Sequence, residues 1–339
     1  MFIVILIFST FGNKLKELFE KQNEEDEYIL IRKYLLNDSP LQGHNKPKLW
    51  IHSKYEKNSR VWKSFYSRNS TDLNQPYIHL TIKTIIDHCG DDFNICLIDD
   101  DSFSKLIPSW DVNVNSLPEP MKSNMREYGM TFLLYIYGGM IVPNSFICLQ
   151  NLKELFDKGI SEGKPFVCEN INRTMNVVKE NKRMLFIPDT YFMGSAKDDS
   201  TIREMLEYQK GRNSDIHFSS ENDFLGKSNQ WCLDMIKLKR IILIGGEIIG
   251  IKTAKQKTIL IEDLMEDNFL DLHSQCCGIY IPHDEILKRI KYQWFAVLSS
   301  EEVLKSTAII SKYLKASIVD TSNLFVKDET IIKSQINSF

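Results

Sequence analysis

Two short apolar runs with a helical segment between them constrain this chain more than any other feature. Lys48 to His52 reads KLWIH and follows Pro47, which suits a first buried strand. Pro76 to Cys89 carries Ile78, Ile82, Ile85 and Ile86 at helical spacing. Phe93 to Ile98 reads FNICLI, a second strand, and runs straight into Asp99-Asp100-Asp101. Strand, helix, strand is the unit of a parallel sheet covered by helices. Ser102 to Ile107 suits a short helix. Glu119 to Tyr137 suits a longer one, stopped by Gly138-Gly139.

The pattern continues with short strands at Met140 to Val142 and Phe146 to Leu149, split by Pro143-Asn144-Ser145, and a helix over Asn151 to Lys158. The second half is less regular. Strands are expected at Phe166 to Cys168, Met184 to Ile187, Tyr191 to Met193, Ile241 to Ile244, Thr258 to Ile261 and Ile279 to Ile281. Helices are expected at Ile202 to Gln209, Asp223 to Lys237 and Glu301 to Tyr313. One α/β domain, 47–313, therefore sits between an N-terminal region (1–46) and a C-terminal tail (314–339). The first region holds an apolar segment, a charged helix over Asn13 to Leu36 and a polar linker.

Phe2 to Phe11 (FIVILIFSTF) is about half the length of a membrane span and lacks a basic residue before it. It reads either as a short membrane anchor or as an apolar segment packed on the domain. Lys14 and Lys16 would favour a cytoplasmic location for the chain beyond it. The seven cysteines are scattered and several, Cys96, Cys148 and Cys168, sit in apolar runs, as buried free thiols do. This points to a reducing compartment: the cytoplasm or the cytoplasmic face of a membrane. The sequons at Asn37, Asn69 and Asn172 are too common a pattern to specify a compartment. With 42 basic against 45 acidic side chains, the chain carries no charge excess for a nucleic acid.

Phosphate cradles of the Gly-x-Gly-x-x-Gly and P-loop kinds are absent. Gly245-Gly246 reads as a turn. His273, Cys276, Cys277 and His283 fall close together, but adjacent cysteines without a Cys-x-x-Cys pair are poorly spaced for zinc. The acidic triple at the end of the second strand stands where ligands bind in open parallel sheets, and carboxylates there suit Mg²⁺ or Mn²⁺. The alternative is a loop whose last Asp caps the next helix.

The stretch Leu134-Tyr135-Ile136-Tyr137-Gly138-Gly139-Met140-Ile141-Val142 resembles the donor-site segment of glycosyltransferases of the family 32 type and the related capsular polysaccharide synthesis proteins. Pro47 to His52 resembles the strand that opens those domains, and Phe93 to Asp101 resembles their second strand. The chain is also similar to glycosyltransferase-like proteins of large DNA viruses, which would place it in an infected cell. The resemblance covers about Pro47 to Leu149.

This resemblance implies a GT-A fold, a Rossmann-like, mixed and mostly parallel sheet flanked by helices. It implies a nucleotide-sugar donor, a glycan or protein acceptor, and an Asp-x-Asp motif holding Mn²⁺ or Mg²⁺ on the donor diphosphate. Trp50 and His52 would line the nucleotide pocket, or else pack in the core. Asp99 and Asp101 would stand near the nucleotide, and they are the only weak candidates for a metal. Gly138, Gly139, Asn144 and Ser145 would border the donor. Glu127 would contact the donor sugar, or else be an exposed helix carboxylate. Asp189 would serve as an acceptor-side base, or else be a turn Asp.

The departures are specific. Pro143, Asn144 and Ser145 occupy the Asp-x-Asp positions, so both carboxylates are missing. The family's Arg falls on Met130 and its Asp on Glu127, with Arg126 beside it. Three outcomes stay open: transfer without metal, metal ligands drawn from Asp99 to Asp101, or a catalytically inactive relative kept for binding or assembly.

Overall fold

A computed structural model of the chain describes residues 46–53, 75–118, 120–171, 186–213 and 221–318. The N-terminal apolar segment, the charged helix, all three sequons and the tail beyond residue 318 lie outside the described residues. No described helix is long and apolar enough to cross a membrane.

The first half follows the expected order. It runs β1 (Lys48–His52), α1 (Tyr77–Cys89), β2 (Asn94–Ile98), α2 (Ser102–Leu106), α3 (Met121–Tyr137), β3 (Gly139–Ile141), β4 (Phe146–Cys148) and α4 (Lys153–Ile160). The second half gives β5 (Phe166–Ile171), β6 (Phe186–Ser195), α5 (Ser200–Asn213), α6 (Glu221–Lys237), β7 (Ile242–Ile244), α7 (Ile261–Met265) and β8 (Gly278–Tyr280). Four short helices close the described residues: α8 (His283–Lys288), α9 (Gln293–Ala296), α10 (Ser300–Lys305) and α11 (Ile309–Ile318).

Six strands form one mixed sheet in the order β2-β1-β3-β6-β5-β7, and β4 pairs with β8 in a small second sheet. β1 is parallel to β2 and β3, β7 is parallel to β5, and β6 runs against both of its neighbours. A parallel strand buried on both faces needs apolar residues at successive positions. β1 meets this with Leu49, Trp50 and Ile51, all fully buried. Side-chain alternation sends Leu49 and Ile51 to one face, where they pack with Ile82, Ile85 and Ile86 of α1. Trp50 goes to the other, with Met130, Leu133 and Leu134 of α3. A third apolar cluster joins Tyr77 and Leu80 of α1 to β8 and to Phe295, Ile310 and Leu314 of the closing helices.

The Tyr-Gly-Gly segment is a packing device. Gly138 N–H donates to Leu134 O (2.8 Å) and closes α3 with φ +66°. Gly139, at φ +102°, passes so close to β1 that a Cβ would sit 2.1 Å from Lys48 O.

Three expectations need correction. The single helix over Glu301 to Tyr313 is two. Ser299 and Glu302 form a capping box that opens α10, and Ser306 turns extended (ψ 149°) after it. Ile309 N–H then donates to Glu266 O, so α11 starts on a tertiary contact and lays its apolar side on the core. Thr258 makes only an isolated bridge to Lys252, and Ile261 opens α7. Phe186 to Ser195 is one strand despite Pro188, where two separate strands were expected. β3 reaches only Met193 to Ser195, so the proline's missing N–H faces no β3 partner.

α1 also carries an acid-sensitive position. His79 Nε2 is buried with no hydrogen-bond partner among the described residues, and burial lowers its pKa to about 4. An unfolded His titrates near 6.5, so the unfolded chain binds the extra proton between those values. Stability is therefore full above about pH 6.5 and falls, by up to roughly 3 kcal/mol, as pH drops towards 4. Urea unfolding from pH 7 to pH 4 should show this slope, and His79→Gln should flatten it. An unchanged slope in the variant would reject the assignment.

Candidate functional site

β1 and β2 end side by side, with His52 in register with Ile98. The chain enters the sheet at β1, adds β2 on one flank, then crosses to place β3 on the other. The carboxyl end of β1 is thus a topological switch point, where open α/β sheets bind ligands.

The acidic triple after β2 splits three ways. Asp99 turns back on the first residue of α2: its Oδ1 accepts from Ser102 N–H (3.0 Å) and Ser102 Oγ (2.6 Å), while Asp101, at the N-cap position, makes no side-chain cap bond. Asp101 is exposed, and its Oδ1 accepts from Asn115 Nδ2 (2.7 Å). Asp100 alone points inward. Arg126 of α3 grips it through Nε to Oδ1 (2.8 Å) and a terminal nitrogen to Oδ2 (2.7 Å). His52 Nε2 lies 3.0 Å from Oδ1. The Asp100 and Arg126 side chains are only 8% and 5% exposed. Burial pushes the Asp100 carboxyl up, but hydrogen bonds from His52 and Arg126, with the guanidinium charge, hold it well below the usual range. An ionised carboxylate only accepts, so His52 carries its proton on Nε2.

An aromatic wall backs this cluster. The His52 ring stacks on Phe103 (5.7 Å, 9°), Phe103 meets Trp110 (5.4 Å), and Trp110 stacks on Tyr128 (5.9 Å). Gly129 makes room for it, since a Cβ there would come within 2.7 Å of the Phe103 ring. A carboxylate held this firmly in its ionised form is a poor general base. Both Asp100 oxygens are already engaged and Phe103 is fully buried, so the cluster fixes the end of β2 against α3 and leaves the half-buried rings of His52, Trp110 and Tyr128 beside it.

The remaining expected site residues are deployed otherwise. Trp50 is fully buried and donates from Nε1 to Gly138 O (3.0 Å), so it is core rather than pocket lining. Gly138 and Gly139 serve the close approach of chain segments described above. Ser145 is fully buried, donates to Ile281 O (3.0 Å) and lies 3.1 Å from His283 Nδ1. The Asn144 carbonyl accepts from Thr81 Oγ1 (2.5 Å). These residues hold the β3–β4 turn against α1 and the strand end at Ile281.

Glu127 is 1% exposed, contrary to an exposed helix carboxylate, and its Oε1 accepts from Thr190 Oγ1 (2.8 Å) and Gln209 Nε2 (3.3 Å). Asp189 lies within β6, not in a turn, and accepts from Asn170 Nδ2 (3.0 Å) and Tyr191 N–H (2.9 Å). Burial pushes the Cys232 thiol up, and the charges of both carboxylates add to the shift. Glu127 and Asp189 therefore share one interior neighbourhood, where each is tied into the packing.

These residues do not fit a divalent metal. The three Asp-x-Asp positions offer no carboxylate, Asp99 is bonded to Ser102, and both oxygens of Asp100 are taken by Arg126. Among the described residues, no group of three or more His, Cys, Asp or Glu is placed to hold an ion. All seven cysteines are free and buried. Cys276 and Cys277 donate to Gly278 O and Ile248 O, and His273 Nδ1 accepts from Gln275 N–H.

Arg126 and Phe103 were not among the site residues expected from sequence, and Asp100 was expected only as a member of the acidic triple. Alternation pointed to Asp100: it shares parity with Cys96 and Ile98, which face α3, as do Trp50 and His52. Arg126 sits four residues before Met130 and eight before Leu134, on the buried stripe of α3. No known family's model matches the chain, and no curated protein matches it.

Proposed function

We propose that this chain is a glycosyltransferase-like protein of GT-A type. In this reading it takes a nucleotide-sugar at the carboxyl ends of β1, β2 and β3 and passes the sugar to a glycan or protein acceptor without a divalent metal. The observation that carries the reading is the His52–Asp100–Arg126 cluster at the switch point. It holds the half-buried, stacked rings of Trp110 and Tyr128 in place at that strand end, and flat rings there suit a planar base. The mixed sheet, with β6 as its reversed strand, is compatible with the fold the resemblance implies. Free buried thiols support a reducing compartment, at the cytoplasmic face of a membrane or in the cytoplasm.

A second reading, a catalytically inactive domain kept for binding, is favoured by one observation. Glu127 and Asp189, the two carboxylates expected to do the chemistry, are both buried and tied into packing, so neither is exposed to act as a base.

Calorimetric titration of the full chain with UDP- and GDP-sugars, with and without Mn²⁺, tests both. One donor should bind with an affinity that Mn²⁺ does not change, and Asp100→Asn should weaken it. Absence of binding by every donor would sink the transferase reading, and binding only with Mn²⁺ would sink its metal-free form. Donor binding with no release of nucleoside diphosphate in the presence of acceptors would leave the inactive reading.

A further inference from the structure

We infer that a second site, between residues 253 and 271, binds a neutral carbohydrate. The chain there encloses an open pocket of about 420 Å³, within the range of small-ligand sites. It is a built feature. Thr253 N–H donates to Lys257 O (2.8 Å), closing a hairpin turn, and Ala254 N–H donates to Asp271 O (2.7 Å), tying that hairpin to the opposite wall. Ile259, 3% exposed, lies at the base. Ile309 N–H fastens the wall from α11 by donating to Glu266 O (2.8 Å).

The lining selects the ligand class. Two lysines, Lys255 and Lys257, face three carboxylates, those of Asp263, Glu266 and Asp271. The lysines are already paired, Lys255 with Asp271 at 3.4 Å and Lys257 with Asp263 at 3.7 Å. Phosphate or sulfate would therefore meet more negative than positive charge. A polycation would meet lysines at the rim. A neutral polyol meets carboxylate acceptors beside the hydroxyl of Thr258 and the amide of Asn268, which donates to Glu266 Oε2 (3.1 Å), and hydroxyl groups pair with both kinds.

Phe269 supplies the remaining element. It is 75% exposed at the pocket's edge, and Lys312 Nζ stands 5.6 Å from its ring centroid. A flat apolar ring beside a polar floor matches a ligand with polar edges and an apolar face, and a pyranose ring has both.

This inference stands apart from the transferase reading, because it concerns other residues and another ligand. Its test is saturation-transfer NMR and calorimetry of the full chain with neutral oligosaccharides of glucose, mannose, galactose and N-acetylglucosamine. One series is expected to bind. Phe269→Ala should weaken it about tenfold, the worth of one aromatic contact. Leu238→Ala, which removes an exposed apolar residue outside the pocket, should leave binding unchanged. Phe269 is exposed, so its truncation should leave the melting temperature in place, and donor titrations should be unaffected. Failure of every series to bind, or equal binding by wild type and Phe269→Ala, would overturn the inference. Neither result would touch the nucleotide-sugar titration.

Discussion

Arg126→Ala is expected to cost about 3–5 kcal/mol of folding stability, because it leaves the Asp100 charge buried without its main partner. The wild-type pair is bidentate, with both side chains less than a tenth exposed. Arg126→Lys should not rescue it, since an ammonium cannot hold both carboxylate oxygens in one plane. The acid response should change as well. In the wild type the Asp100 carboxyl sits below its ordinary range, so its contribution is fully present above about pH 4, the unfolded value. That contribution is lost only as the pH falls through the lower folded value. Without Arg126, burial dominates and the folded value rises, so the loss begins at higher pH. Urea unfolding at pH 7 and pH 4 measures both effects. A loss below about 1 kcal/mol at pH 7 would mean that the pair behaves like a surface bridge.

Gly139→Ala should be at least as damaging. Its φ of +102° is hostile to any L side chain, and the added Cβ would lie 2.1 Å from Lys48 O and 2.9 Å from Lys48 C. Those atoms belong to β1, which pairs with β2 and β3 at once and cannot retreat without breaking one ladder. Strain and overpacking together are expected to cost about 3–5 kcal/mol, a large part of a domain's total stability. Gly163→Ala is the control. Its φ is +68°, yet nothing lies within 4 Å of the added carbon, so only the dihedral penalty of about 1–2 kcal/mol applies. If the two variants unfold at the same urea concentration, the close approach of β3 to β1 is not what requires glycine.

Asp99 and Asp101 stood out in the sequence as the flanks of an acidic run, yet both are spent locally, on Ser102 and on Asn115. The middle carboxylate is the one that faces α3. Period-two alternation carried across from Cys96 and Ile98 would have selected it, and the same rule puts His52 on that face. Arg126 was passed over in favour of Glu127 beside it, although both lie on the buried side of α3. A charged residue at a core position of a helix needs a partner, and this helix packs over the end of β2.

Most of the fold was legible because its signals are local. The apolar run of β1, the helical spacing of α1, and the glycines that end α3 and admit β3 each act within a few residues. The second half was less legible where partners are remote in sequence. The break between α10 and α11 rests on Glu266, and the continuity of β6 through Pro188 rests on how short β3 is.

The sequence by itself determined the alternation of strands and helices, the burial of β1, and the absence of carboxylates at Pro143, Asn144 and Ser145. Only the tertiary structure decided which charges meet. Asp100 and Arg126 are brought together because β2 and α3 pack on one face of the sheet, and a buried charge is kept only where the fold delivers its counterpart.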